Sequence, residues 1–256
     1  MFQSQPDRRP TVAHVARGVD TRPDLSTAQI QDAYDRIHAR DGMNAVPGYY
    51  DWLLLLLGAS LRGRMLDVGC GTGGMLAAAA ARGIATAGLD ISDVAIARAR
   101  ERVPGSELHV GVAERLPFAD GEFDVVSCLG SLEHFIDPTQ AIREMRRVTR
   151  PDGRLLIAVP NSRHTMTPVI ALRQWLFPGL SQPVERRATR SEWQALLERC
   201  GLRVTAIHKD NNSYIPTRVL QALSRVLGRL TPLGVCYQFV FVARPDQEPV
   251  GEPPIS

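Results

Sequence analysis

The chain has 256 residues, 44% hydrophobic and 22% charged, with a formal net charge of +3. This is chain enough for one large domain, and so small a net charge marks no nucleic-acid partner, so none is expected. Cys70, Cys128, Cys200 and Cys236 stand far apart without a C-x-x-C pair, which suits a reduced cytosolic protein rather than a disulfide framework or a zinc site. The first residues are polar and carry Pro6 and Pro10, so no signal peptide is read, and the apolar run from Trp52 to Leu57 falls far short of the roughly 20 residues of a span. Nearly every basic residue is arginine, Lys209 being the single lysine, so an arginine carries little functional weight by type alone.

In chain order, residues 1–25 are polar and proline-punctuated and read as a disordered arm. A single domain is expected over 26–244, opening with a helical cap at 26–60. Ser26 or Thr27 can cap a helix to about Arg40 with Ile30, Ala33, Tyr34 and Ile37 on one face, and a second helix covers roughly 48–59. From Arg64 strands near 64–68, 85–89, 107–110, 123–128 and 153–159 alternate with helices near 74–82, 93–102 and 138–149. That alternation predicts an α/β, doubly wound, mostly parallel sheet with right-handed crossovers and its ligand at the carboxyl ends of the strands. Arg150 to Arg154 reads as a turn, Ser191 to Gly201 as a helix, Leu202–His208 and Cys236–Ala243 as strands, and 245–256 as a disordered tail.

The organising stretch runs Met65-Leu66-Asp67-Val68-Gly69-Cys70-Gly71-Thr72-Gly73-Gly74. It reads as a buried strand, a glycine turn and a helix start whose free N–H groups favour a carboxylate or phosphate. Gly69-x-Gly71-x-x-Gly74, with Asp90 about 20 residues on, formally satisfies the dinucleotide fingerprint. Asp67, two residues before the first glycine, is atypical of NAD-binding turns. At the end of the second strand, Asp90 is placed to accept from both hydroxyls of a ribose, which serves either nucleotide.

Asp67-x-Gly69-x-Gly71-x-Gly73 closely resembles the first motif of class I S-adenosylmethionine (SAM) methyltransferases, (D/E)-x-G-x-G-x-G. The resemblance implies a Rossmann-like, seven-stranded sheet closed by an antiparallel last strand, with SAM as cofactor. It sets Asp67 at the methionine end and Gly69, Cys70, Gly71 and Gly73 around the cofactor, with Asp90 and Ile91 following. Gly111 to Asp124 resembles the segment G-D-A-x-x-L-P-F-x-D-x-x-F-D that borders the adenine, with Val112 where the usual Asp stands. Ala113 and Glu114 are the residues that would compensate, and Leu129 completes the cofactor set.

Glu133-His134-x-x-Asp137-Pro138 is similar to the ending typical of the type 11, ubiquinone/menaquinone-type subgroup. His134 is the general-base candidate, since imidazole titrates near neutrality, although a histidine here can equally shape the pocket. Metal-using relatives carry E-x-x-E-H; Gly130 replaces the first Glu, so no metal is expected. Two insertions, 161–190 and 210–234, would carry acceptor specificity. They read either as a lid of amphipathic helices or as a greasy surface rimmed by arginines, Arg186 and Arg187 among them, that meets a lipid-linked substrate at a membrane.

The implied activity is in-line methyl transfer to a small-molecule or lipid- or glycan-linked metabolite, in a cytoplasmic protein with peripheral contact at the inner membrane face as an option. An NAD-dependent oxidoreductase and a non-catalytic methyltransferase-like binding protein stand as the alternatives.

Overall fold

The computed structural model describes residues 16–17, 25–40, 48–58, 62–163, 185–210, 232–233 and 236–246. Helix α1 spans Thr27–Arg40 and α2 spans Tyr49–Leu56. The α/β alternation then runs β1 (Arg64–Val68), α3 (Gly74–Ala80), β2 (Ala85–Asp90), α4 (Asp93–Arg102), β3 (Glu107–Val110), β4 (Phe123–Leu129) and α5 (Pro138–Val148). It closes with β5 (Thr149–Pro160), α6 (Arg190–Arg199), β6 (Leu202–Asp210) and β7 (Gln238–Pro245). These strands form one seven-stranded sheet in the order β3-β2-β1-β4-β5-β7-β6.

The strands from β3 through β5 are parallel, and β7 runs antiparallel to both β5 and β6. The winding reverses between β1 and β4, which opens a crevice beyond their carboxyl ends. Strand β1 is buried on both faces from Met65 to Val68, as a central parallel strand covered by helices must be. Leu66, Val68, Phe123, Phe239 and Phe241 pack with Ile142 and Met145 of α5 and Trp193 of α6 on one face. Met65, Val125 and Leu156 pack with Leu53 and Leu54 of α2 and Met75 of α3 on the other.

Local chemistry explains the helix ends. Ser26 and Gln29 exchange reciprocal bonds, the Gln29 N–H to the Ser26 hydroxyl at 3.3 Å and the Ser26 N–H to the Gln29 amide oxygen at 2.9 Å, a capping box for α1. Asp137 accepts from the Gln140 N–H at 3.0 Å and is followed by Pro138 at the first helical position of α5. Thr189 and Glu192 cap α6 in the same reciprocal way, and the buried Trp193 donates its indole N–H to the Pro160 carbonyl at 3.0 Å.

Four expectations are corrected. The predicted turn at Arg150 to Arg154 lies inside β5. Register advances from Phe123 to Val125 on β4 while β5 advances from Thr149 to Arg154, so extra residues bulge out. Pro151 has no N–H for the ladder there, which explains the interruption. The tail does not begin at 245: Pro245 pairs with Leu202, and the Asp246 N–H reaches the Gly201 carbonyl at 2.8 Å.

Within the stretch read as a disordered arm, Ala16–Arg17 pairs in parallel with Arg186–Arg187. Arg186 is not part of a surface rim; it is fully buried and donates to the backbone carbonyls of Glu133, Phe135 and Ile136. Its guanidinium satisfies carbonyls that no secondary structure would satisfy. The helices expected in the insertions 161–190 and 210–234 fall on residues 164–184 and 211–231, which lie outside the described residues.

Replacing Arg186 with Leu should therefore leave several buried carbonyls unpaired. We expect a loss of about 3 kcal/mol in urea denaturation. A loss below about 1 kcal/mol would show that the 133–136 segment does not depend on this side chain.

Candidate active site

The site begins where β1 stops. The Gly69 and Cys70 N–H groups both donate to the Leu89 carbonyl, at 2.7 and 3.0 Å, which bends the chain across the end of β2. Gly71 (φ +51°) and Gly73 (φ +78°) lie in the left-handed region, but for different ends. A Cβ on Gly73 would press on Ala99 at 3.2 Å and Val103 at 3.3 Å, so this glycine lets α3 approach α4. A Cβ on Gly71 would meet only His38, at 3.6 Å, because that side of the loop opens into a cavity.

The cavity holds about 1020 Å³, counting its open mouth. Asp67, Gly69, Cys70 and Gly71 line it from the loop, Asp90 and Ile91 from the end of β2, Ala113 and Glu114 from the segment after β3, and Leu129 and His134 from the end of β4. Ten of the eleven site residues read from sequence thus converge on one space. Gly73 is the exception: it does not line the cavity, and its role is helix packing.

Asp67 is buried beneath the loop and accepts a hydrogen bond from the Ser127 hydroxyl of β4. Burial pushes its carboxyl up to about 7, opposed by the Ser127 bond, with Asp90 adding to the rise. Asp90 receives the Gly71 N–H on one oxygen at 2.8 Å and the Ser92 N–H on the other at 2.9 Å. Burial raises its carboxyl as well, against the pull of those two amides. Each Asp90 oxygen retains acceptor capacity, because a carboxylate oxygen takes two bonds.

Helix α1 roofs the cavity. Its Asp35 carboxylate accepts from the Ser92 hydroxyl and from the Val94 N–H at 3.3 Å, Gln31 donates to Asp93 at 2.8 Å, and Arg98 donates to the Ala39 carbonyl at 3.1 Å. Ser92, not Asp93, caps α4, its hydroxyl oxygen accepting the Ala95 N–H at 3.1 Å. Fastened this way, α1 presents Ile30, Tyr34 and His38 to the cavity. Tyr34 and Tyr50 line it as well, whereas Tyr49 donates to buried Asp210 at 3.0 Å.

His134 sits on a short 3₁₀ turn, Leu132–His134, that Arg186 braces from below. Its ring meets Tyr34 edge-on with centroids 6.1 Å apart, and its Nε2 lies 3.7 Å from Glu133 Oε1. Burial pushes the Glu133 carboxyl up to about 8, and its Oε2 has no hydrogen-bond partner. Glu114, expected to compensate for Val112, spends one oxygen on the Asp137 N–H at 3.0 Å. Val112 itself forms part of the cavity wall. Among the described residues no group of three or more His, Cys, Asp or Glu side chains could hold a metal ion.

Sequence reasoning missed His38, Ser127 and Asp35. His38 was legible in principle, four residues beyond Tyr34 and eight beyond Ile30 on the apolar face of α1.

A mostly parallel sheet in this order, closed by an antiparallel hairpin and carrying an acid before a glycine loop and another at the end of β2, has the Rossmann-like fold seen in solved methyltransferases. Residues 66–157 match the family described as "Methyltransferase domain". The demethylmenaquinone methyltransferase of Beutenbergia cavernae is 35% identical over 159 residues, 62% of this chain and 62% of that protein. The match thus spans less than two thirds of that relative's length.

Among solved structures, the [4+2]-cyclase SpnF superposes with a TM-score of 0.65 at 19% identity, covering 90% of this chain and 99% of that one. The phosphoethanolamine N-methyltransferase 2 of Haemonchus contortus, solved with phosphomonomethylethanolamine and S-adenosylhomocysteine, gives 0.62 at 18% identity over 87% of this chain and 58% of that one. At those identities the likeness is one of fold.

Asp67 and Glu133 bind protons more tightly folded than unfolded, where carboxyls titrate near pH 4. From about pH 4 up to their folded values of about 7 and 8, the native chain therefore holds more protons and its stability falls as pH rises. We expect the melting temperature to drop from about pH 5.5 to 8, with a slope of up to about 1.4 kcal/mol per pH unit for each group. Asp67→Asn and Glu133→Gln should each flatten the profile. A melting temperature that instead climbs over this interval would show that the two carboxyls are ionised in the fold.

Proposed function

We propose that the chain transfers a methyl group from S-adenosyl-L-methionine to a small-molecule or lipid-linked acceptor. The observation that carries this reading is the convergence of Asp67, the Gly69–Gly71 loop, Asp90, Ala113 and His134 on a single cavity at the switch point of the sheet.

The residues fit such a cofactor. A buried acid raised to about 7 by burial, with one hydroxyl as its bonded partner in view, suits an ammonium that would complete its charge. Two rigidly held Asp90 oxygens with spare acceptor capacity suit a ribose diol. Ile91, Val112 and Ala113 give an apolar wall suited to a purine face, the backbone at Ala113 serving where Val112 offers no carboxylate. When bound, the cofactor supplies a methyl group on sulfonium sulfur, with a neutral thioether as leaving group.

The chain's own work is then placement and exclusion of water. Gly71 admits the ligand because nothing projects from it; α1 covers the mouth; and Leu129 and His134 bound the side on which an acceptor enters. His134 is the base of this proposal, taking the acceptor's proton on its imidazole. The demethylmenaquinone methyltransferase relative supports an acceptor of small-molecule type. No described helix is long and apolar enough to cross a membrane, so a lipid-linked acceptor would be met by peripheral contact.

Gly71→Arg should fill the cavity and abolish calorimetric binding of S-adenosylhomocysteine; retained affinity would overturn the site. Incubating labelled SAM with extract of the source cells, then identifying the labelled product, reads out the acceptor directly, and no labelled product would count against transfer. His134→Ala should lower turnover at least about tenfold, within the range of a lost general base, while leaving cofactor affinity within about twofold. An unaltered rate would remove His134 as the base.

A further inference from the structure

His38 is the one buried histidine of α1, and its Nδ1 has no hydrogen-bond partner. A buried polar atom left unpaired is costly, so its persistence calls for a partner that the chain alone does not supply. The ring lines the cavity, leans on the open side of Gly71, and lies beside Tyr34 at a centroid distance of 6.5 Å with 30° between the planes. Burial lowers the imidazole below its ordinary value, Asp90 and Asp35 pulling it up and Arg98 pushing it down. Burial therefore favours the neutral ring, with one N–H donor and one acceptor nitrogen.

Asp90 is the neighbour that gives the histidine a task. A carboxylate only accepts, so a vicinal diol bound to it must spend its two hydroxyl protons there and leave its oxygen lone pairs unmet. The Gly71 and Ser92 N–H groups at this carboxylate are already committed to Asp90. An imidazole N–H reaching over Gly71 is the complementary donor.

We propose that His38 is a binding residue of this site, donating to a hydroxyl of the nucleoside diol that Asp90 accepts, so that the diol is held between β2 and the roof helix α1. This rests on the reading of the cavity as a SAM site. It also gives α1 a function beyond cover: the same ligand atom touches the sheet and the helix, so occupancy fastens the roof.

The test is a cycle between protein and ligand, read by calorimetry without turnover. S-adenosylhomocysteine and its 2′-deoxy and 3′-deoxy analogues are titrated into wild type, His38→Phe and, should that variant fail to fold, His38→Leu. In wild type, removing the bonded hydroxyl should weaken binding roughly tenfold, the scale of a lost hydrogen bond. In the His38 variant the same removal should cost several-fold less than in wild type, because only the bond to Asp90 remains to be lost.

An equal cost in wild type and variant, with wild type binding normally, would overturn the His38 assignment and leave the SAM reading intact. Failure of wild type to bind S-adenosylhomocysteine at all would overturn both.

Discussion

Two backbone amides converging on one carboxylate fix this site. Gly71 belongs to the turn after β1 and Ser92 to the start of α4, and Asp90 at the tip of β2 holds both N–H groups. Without that clasp the glycine loop has little to define it, since glycines restrict their own backbone least of all residues. Ser92 extends the clasp outward: its backbone binds Asp90, its hydroxyl oxygen caps α4, and its hydroxyl proton goes to Asp35 of α1. Loop, sheet edge, helix start and roof helix are thereby one hydrogen-bonded unit, and the cavity is the space it leaves.

That unit is electrostatically incomplete. Asp67, Asp90 and Glu133 are all buried, and all are raised by the loss of solvent around them. A chain selected for stability alone would pair such groups or replace them with apolar ones, since burying unpaired charge is expensive. Asp67 and Asp90 line the cavity and Glu133 adjoins its His134, which marks the region where stability has been given up to hold particular chemistry. The partnerless nitrogen of His38 and oxygen of Glu133 belong to the same pattern.

The sheet was legible because its signals are local. Apolar runs bounded by glycine turns located β1 to β4 to within a residue, and the glycine loop, Asp90 and the segments around Ala113 and His134 named ten residues that line the cavity. Gly73 does not line the cavity, and its motif records that a glycine is required without saying what the missing side chain would strike; here it is Ala99 of α4 and Val103 just beyond it. The β5 bulge hid behind a turn signature, since Pro151-Asp152-Gly153 reads the same whether a chain reverses or merely bulges. Arg186 was read as surface because arginine is ordinarily exposed. Its burial follows from three carbonyls far along the chain that need donors, and no local pattern announces them.

The same long-range logic bears on Val112. Where the related pattern has an acid, this chain has an apolar side chain, and the neighbouring Glu114 is drawn away to the Asp137 N–H. That bond links the wall after β3 to the start of α5, one turn beyond His134. It anchors the cavity wall at Glu114 through a backbone N–H rather than leaving a second carboxylate wholly free for the space. The two sides are thus built on different principles: carboxylates with spare capacity at the loop and β2, and an apolar wall at β3. A ligand held here would be recognised by charge and hydroxyl geometry at one end and by shape at the other. His134 lines the same cavity from the short turn that follows β4.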